Sequence, residues 1–315
     1  MINNKNLLVL TGFSCNNNCI ICSVKDKAAN YPDRSFNDLC DELETGKKKG
    51  FNWVEFTGGE PTIRRDMAQL VKKAKKLGYQ KIALSTNGRL FSYKEFCQKI
   101  IDAGLNKLTF SLLGPSKEIH DSISRTPGSF DEIVQGIKNV QGFSGIHVNI
   151  STVISQLNYK NLKKFGKFVI SLDVKNWYLL DLIPDSNAKK FYKNLVVRLD
   201  DLSKELNSLS EISSDFNEFG FFDFPLCIFS QELRSKNNAC FVNAKMRMET
   251  IKQVGYNPKR IEISSDGVYS DVYRTNIEIC KKCKHYKNCG GIWKEYLNIY
   301  GSQEVFKLAK KNNCL

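Results

Sequence analysis

Apolar and polar positions over residues 7–182 alternate in a regular way, with short apolar runs separated by longer stretches whose apolar residues recur at helical spacing. The runs at 7–13, 53–56, 81–85, 107–112, 147–154 and 176–182 predict six strands. The stretches at 36–48, 64–77, 93–103, 130–140 and 159–170 each put their apolar residues on one face and predict five intervening helices. Strand, helix and strand in repeating order point to a parallel sheet with helical crossovers, so the expected fold is α/β, an open or partial (β/α)6 barrel. A polar helix over 187–209 is expected to carry the chain out of the repeat. The division this pattern predicts is a core at 1–209 and a distinct cysteine-rich region at 210–315. In the latter the alternation gives way to Phe-rich loops, with two short strand candidates at 260–264 and 268–272. Phe216, Phe219, Phe221, Phe222 and Phe224 are expected to serve packing.

Parallel strands of this kind carry their ligand-binding loops at the C-terminal ends. Cys15 follows the first strand, Gly58-Gly59-Glu60-Pro61 the second, Ser85-Thr86-Asn87-Gly88 closes the third, and Ser111 ends the fourth.

Composition narrows the class. With 42% hydrophobic and 25% charged residues, a chain of 315 can bury a sizeable core. No run approaches the ~18 apolar residues of a membrane helix, and the first residues lack the pattern of a signal peptide, so a cytoplasmic location and no membrane partner are expected. In that compartment eleven cysteines point to metal rather than disulfides. The net charge of +14 favours an acidic partner through long-range steering. The lysine clusters at 47–49, 72–73, 75–76 and 281–282 fit solvated faces equally well, which makes nucleic acid the weaker candidate partner.

Cys15-Asn-Asn-Asn-Cys19-Ile-Ile-Cys22 sets three thiols in one short loop with C-x3-C-x2-C spacing. Three thiolates can hold one face of an iron-sulfur cube and leave one iron open, whereas structural zinc would need a fourth ligand that this loop lacks. A second set, Cys280-Lys-Lys-Cys283 and Cys289 followed by Gly290-Gly291-Ile292-Trp293, has C-x2-C-x5-C spacing. Taken alone, this set serves zinc and iron-sulfur equally. Cys227 and Cys240 lie upstream of it, and Cys314 is either a further ligand or a thiol near the terminus. Cys40 and Cys97 fall in helical patterns as small buried hydrophobes. His120 is expected to be a core or helix-cap residue. Asp181 and Asp185, at the end of the sixth strand, are weak candidates for a proton acceptor.

Taken together over residues 7–185, these motifs resemble the radical S-adenosylmethionine (radical SAM) superfamily. The resemblance implies a partial barrel of that family's type, with Cys15, Cys19 and Cys22 holding a 4Fe-4S cluster that binds and reductively cleaves SAM. It further implies that Gly58, Gly59, Glu60 and Pro61 receive the SAM ammonium. The segment from Ser111 to Arg125, followed by Gly128-Ser129-Phe130, is similar to a region that in peptide-maturing members supplies a serine and an arginine for the SAM carboxylate. By that analogy Ser111 and Arg125 take this role, with Ser85 and Asn87 near the ribose. Ile21 stands where the family often has an aromatic residue.

The C-terminal cysteines resemble the SPASM and twitch extensions of the same superfamily. This implies one auxiliary 4Fe-4S cluster on Cys280, Cys283, Cys289 and Cys227, with Cys240 as the competing fourth ligand. A complete SPASM pattern has a further cysteine where this chain has Trp293. The expected activity is hydrogen abstraction by a 5'-deoxyadenosyl radical from a peptide or protein substrate, with an electron donor such as flavodoxin or ferredoxin. Modification of a small molecule, nucleotide or RNA is the alternative, and a non-catalytic metal-binding protein the remaining one.

Overall fold

A computed structural model describes residues 6–242, 251–252 and 273–315. The strand candidates at 260–264 and 268–272 lie outside the described residues.

The six expected strands form as β1 (Asn6–Leu10), β2 (Trp53–Thr57), β3 (Lys81–Thr86), β4 (Lys107–Ser111), β5 (His147–Val153) and β6 (Asn176–Leu180). They pair in sequence order and in parallel. The sheet runs on past residue 209 through β7 (Glu218–Phe222) and β8 (Ala239–Val242), both parallel to their neighbours, so eight parallel strands make a curled half-barrel. A two-residue strand, β9 (Ile251–Lys252), pairs with β1 at the other edge.

Each strand divides its residues between two faces, as the period of two requires. On β2, Val54 and Phe56 are fully buried while Trp53, Glu55 and Thr57 are half-buried. The buried set faces the crossover helices. Phe36–Lys48 packs Leu39 and Leu43 inward and is capped by Ser35, whose side chain accepts from the Asp38 amide. Met67–Lys76 buries Met67, Leu70, Val71 and Ala74. Ser129–Gln141 and Leu162–Ser171 repeat the arrangement. The other face lines the inside of the half-barrel and is polar: Ser85 Oγ donates to Glu55 Oε1 at 2.6 Å, and Asn176 Nδ2 to Asn149 Oδ1 at 3.0 Å.

The expected helix over 187–209 is broken. It forms as Ser186–Lys190, Tyr192–Leu195 and Leu199–Asn207, with Val196 extended at φ −70° and ψ 133° between the last two. Val196 and Val197 are both buried at this break, and burying two β-branched side chains outweighs the weak helical preference of the segment. Phe216, Phe219, Phe221 and Phe224 are core, as expected, with Phe219 and Phe221 on β7 packed against Trp177, Phe229 and Phe241, whereas Phe222 is half-buried with its ring against Tyr178.

Beyond β8, β10 (Arg274–Thr275) and β11 (Ile292–Trp293) form a small antiparallel pair, followed by helices Lys294–Tyr300 and Gln303–Lys311. Among the described residues no helix is long and apolar enough to cross a membrane.

Candidate active site

The loop carrying Cys15, Cys19 and Cys22 leaves the C-terminal end of β1 and is fastened by four separate elements. The turn after β2 binds it through Gly59 N–H to Gly12 O and Glu60 N–H to Ser14 O, both 2.8 Å. Arg89, just after β3, donates to Asn16 O at 2.7 Å and is itself paired with Glu132. The end of helix Lys117–Ser124 accepts from two loop amides, Asn18 N–H to Ser124 O at 3.1 Å and Ile20 N–H to Ile123 O at 2.9 Å. The segment after β6 closes the ring, with Ala188 N–H on Cys22 O and Asn187 Nδ2 on Cys19 O, both 3.2 Å. Asp33 accepts from the Phe13 and Ser14 amides; burial opposes its charged form, but the Ser14 hydroxyl together with these amides and the charge of Arg64 holds its carboxyl below the ordinary value. A loop without secondary structure of its own is thereby fixed in shape.

The three thiols are free, and burial raises all of them. Cys19 is pushed up to about 12 by burial and then by the neighbouring Cys22 and Cys15. Among the described residues no three His, Cys, Asp or Glu side chains are placed to share a single ion. An iron-sulfur cube does not require that, because each thiolate takes a different iron, and the donor set fits such a cluster.

Gly58 and Gly59 allow the close approach of the second turn. A Cβ on Gly58, at φ +124°, would stand 2.3 Å from Gly12 O, and one on Gly59 would stand 2.1 Å from Ser14 O. Glu60 points inward and is 3% exposed. Its carboxylate accepts from the Thr62 amide (3.0 Å) and hydroxyl (2.6 Å), the Thr86 hydroxyl (2.8 Å) and the Asn87 amide (2.6 Å). Burial raises its pKa, with those bonds opposing. Glu60 therefore ties the end of β2 to the end of β3 with its acceptor capacity in use. Pro61 is buried at the start of a short turn of 3₁₀ helix.

Asn87 lies against the cysteine loop, donating to Asn16 Oδ1 at 2.7 Å, with its Nδ2 3.9 Å from Cys15 Sγ. Ser85 and Ser111 are on the inner face, Ser111 in register with Ser151. Arg125 follows helix Lys117–Ser124 in a left-handed conformation at φ 52° and sets its guanidinium 4.8 Å from the centre of the Phe191 ring. It directly follows Ser124, whose carbonyl receives the cysteine loop, so the turn after β2, the end of β3 and the helix that precedes Arg125 all reach the same loop. His120 is buried and accepts the Leu113 amide on Nδ1 at 3.1 Å, with its pKa lowered to about 4 by burial. It is a core histidine, as expected.

The Radical SAM superfamily model matches residues 9–169. The chain belongs to the radical SAM superfamily. It is 29% identical over 189 residues to a probable GTP 3',8-cyclase of Saccharolobus solfataricus, a match covering 60% of each chain. A probable GTP 3',8-cyclase of Sulfolobus acidocaldarius is 26% identical over 204 residues, 64% of each. The chain thus spans about three fifths of the length of these curated relatives. Among solved structures, anSMEcpe with bound AdoMet and the Cp18Cys peptide superposes with TM-score 0.66 at 16% identity over 97% of this chain and 96% of that one. Streptococcus suis SuiB bound to its precursor peptide SuiA gives 0.62 at 17%, over 93% and 72%. At these identities the structural likeness is one of fold. The superfamily is one of enzymes that use SAM and a 4Fe-4S cluster.

A second set of thiols gathers in the C-terminal part of this radical SAM enzyme. Cys227, Cys280, Cys283 and Cys289 line one apolar cavity, walled on one side by Val305 and Ala309. Cys227 is raised well above its ordinary value by burial and then by Cys289, Cys314, Cys280 and Cys283. Cys314, left open by sequence, is fully buried, its Sγ 3.6 Å from the Arg234 guanidinium. Five cysteines therefore approach one another, one more than a cube requires. Cys240 is elsewhere, on β8 beside Gly220, with Glu218 as its charged neighbour. Cys97 is buried and donates to Phe91 O.

Asp181 and Asp185 have structural partners. Asp181 accepts from Trp293 Nε1 at 2.7 Å and lies 3.6 Å from Arg274, while burial raises its pKa to about 6. Asp185 caps Ser186 and pairs with Lys27 at 3.3 Å. Arg89, Glu132 and Arg274 were not marked by any motif; each is recognisable only from a partner distant in sequence.

Proposed function

We propose that this radical SAM enzyme modifies a peptide or protein substrate held inside the half-barrel, with the SAM-binding cluster on Cys15, Cys19 and Cys22. The observation that carries the cluster assignment is the fastening of one three-thiol loop by four elements at the C-terminal mouth of the sheet. When bound, the cluster and SAM supply reductive cleavage to a 5'-deoxyadenosyl radical that abstracts a hydrogen atom. The chain's own residues position and shield. The Gly58–Pro61 turn offers its backbone carbonyls to the SAM ammonium, and Glu60 keeps that turn in shape. Arg125 and Ser111 hold the carboxylate, and Ser85 and Asn87 lie toward the ribose. An auxiliary 4Fe-4S cluster takes Cys280, Cys283, Cys289 and Cys227, with buried Cys314 in reserve beside them. Flavodoxin or ferredoxin is the class of electron donor.

The peptide reading is supported by the extent of the likeness to anSMEcpe, which includes the C-terminal cysteine region, whereas the relatives named as GTP cyclases match over about three fifths of the chain. Their sequence identity is the higher, and together with the net charge of +14 it favours a nucleotide as the second reading. Deuterium tracing separates the two. The reduced enzyme is given SAM with either a perdeuterated mixture of cellular peptides or perdeuterated GTP. Deuterium in 5'-deoxyadenosine from the peptides is the expected result; transfer from GTP alone would replace this reading with the second.

A further inference from the structure

The inner face carries a group of charges at the end of the sheet away from the cysteine loop. Glu55 on β2, Ala83 on β3 and Lys107 on β4 lie in register as one row. Ala83, between the two charged side chains, is short and 2% exposed, so it adds no polar group to the row. One row lower, Trp53 lies between two lysines, with Lys107 Nζ 4.6 Å and Lys81 Nζ 5.2 Å from its ring centre, inside the ~6 Å range of a cation-π contact.

The two carboxylates near Lys107 are already engaged. Glu55 accepts from Ser85 Oγ at 2.6 Å and from Asn6 Nδ2 at 3.2 Å, and Glu218 is bonded by the Tyr178 hydroxyl. Among the described residues, neither lysine ammonium has a hydrogen-bond acceptor or an ion-pair partner within contact distance. Burial lowers the pKa of Lys107, and Glu55 and Glu218 oppose that shift from a distance. A half-buried cation with three unused donors is in want of an acceptor.

We propose that this end of the chamber is an anion subsite, in which Lys107, with Lys81 beside it, takes a carboxylate or phosphate of the substrate. The inference rests on the reading that substrate occupies the half-barrel, and it adds a requirement of shape. Lys107 and Ser111 bracket β4, four residues apart, so the anionic group lies roughly 13 Å from the level of the SAM-binding residues. A peptide would meet this with an acidic side chain or its terminal carboxylate, a nucleotide with its phosphates.

Trp53 supplies a reporter, since it is one of three tryptophans and touches both lysines. Its indole resonance, assigned with W53F, is followed in ¹⁵N-labelled reconstituted enzyme during titration with glutarate, with pyrophosphate, and with potassium chloride at matched ionic strength. The expected result is a saturable shift with one of the two anions beyond that caused by chloride. A preference for glutarate assigns a carboxylate-bearing substrate, and a preference for pyrophosphate a phosphorylated one. K107M should weaken the response by about tenfold or more, as loss of a charge-assisted bond requires, and K107R should restore most of it. The Trp177 and Trp293 resonances report whether the variant is folded, and K107Q replaces K107M if it is not. No shift beyond chloride in the wild type, or an equal shift in the folded Lys107 variant, overturns the proposal. Because no SAM is cleaved in this titration, its failure is distinct from failure of the deuterium experiment.

Discussion

Glu60 carries four hydrogen bonds on a fully enclosed carboxylate, which gives a specific expectation for Glu60→Gln. The amide keeps the size of the side chain but turns one acceptor into a donor facing other donors. Stability should fall by about 1–3 kcal/mol, by the same amount with and without SAM, in urea unfolding. A loss seen only with SAM would return Glu60 to direct SAM contact. The Gly58-Gly59-Glu60-Pro61 motif marks this residue in the sequence. What it does depends on Thr86 and Asn87, donors from another strand, which no local pattern reveals. His120 gives a second prediction at this scale. Its folded-state pKa of about 4 lies below the ordinary 6.5, so the stability it confers is present above about pH 6.5 and is lost as pH falls toward 4. That loss is on the order of 3 kcal/mol. It should shrink in His120→Gln, measured as unfolding free energy between those pH values; an unchanged pH slope would contradict the assignment.

Among elements, long amphipathic helices and half-buried strands were the most legible. The helix expected at 36–48 forms as Phe36–Lys48, because a capping serine and a regular apolar face act together there. β7 escaped notice because Glu-Phe-Gly-Phe-Phe, paired on both sides, shows little of the alternation that marks a half-buried strand. The break at Val196 escaped for a similar reason, since it is set by tertiary burial. The cysteine loop has no regular structure, so its shape depends on the elements that grip it. Arg89→Met should release Asn16 O and leave Glu132 without its partner. Iron retention at the N-terminal site should fall by about tenfold or more, as losses of outer-shell contacts do. Iron at the C-terminal site should be unchanged. Iron analysis with and without the C-terminal cysteines measures this, and an equal loss at both sites would point to general unfolding.

At the scale of the whole molecule, the C-terminal pair β10 and β11 is joined to the mouth of the half-barrel through a buried group. Arg274, 2% exposed in its side chain, lies 3.7 Å from the centre of the Trp293 ring, donates to Gly291 O at 3.0 Å and to Asp223 O, and faces Asp181 on the segment after β6. Trp293 is thus more than a departure from the SPASM pattern: its indole N–H is spent on Asp181. Trp293→Phe should cost about 1–3 kcal/mol by leaving that carboxylate short of a donor, read as a lower urea midpoint with the slope unchanged. A neutral result would mean that the junction is held by its apolar contacts alone. The sequence indicated that the two cysteine sets belong to different parts of the chain. It did not indicate that Cys314 joins Cys227 and the C-x2-C-x5-C thiols, because closeness in space between residues 227 and 314 is a property of the folded chain.

The central claim is that the Cys15, Cys19 and Cys22 loop holds the cluster at which SAM is cleaved. Its most direct test is anaerobic reconstitution of the wild type and the Cys15, Cys19 and Cys22 triple alanine variant with iron and sulfide, followed by dithionite and SAM. 5'-Deoxyadenosine, methionine and bound iron are then measured. Deoxyadenosine and methionine from the wild type only, with the variant still holding about one cube of iron, is the predicted result. Iron-loaded, folded wild type that forms no deoxyadenosine, or a triple variant that still forms it, would contradict the account.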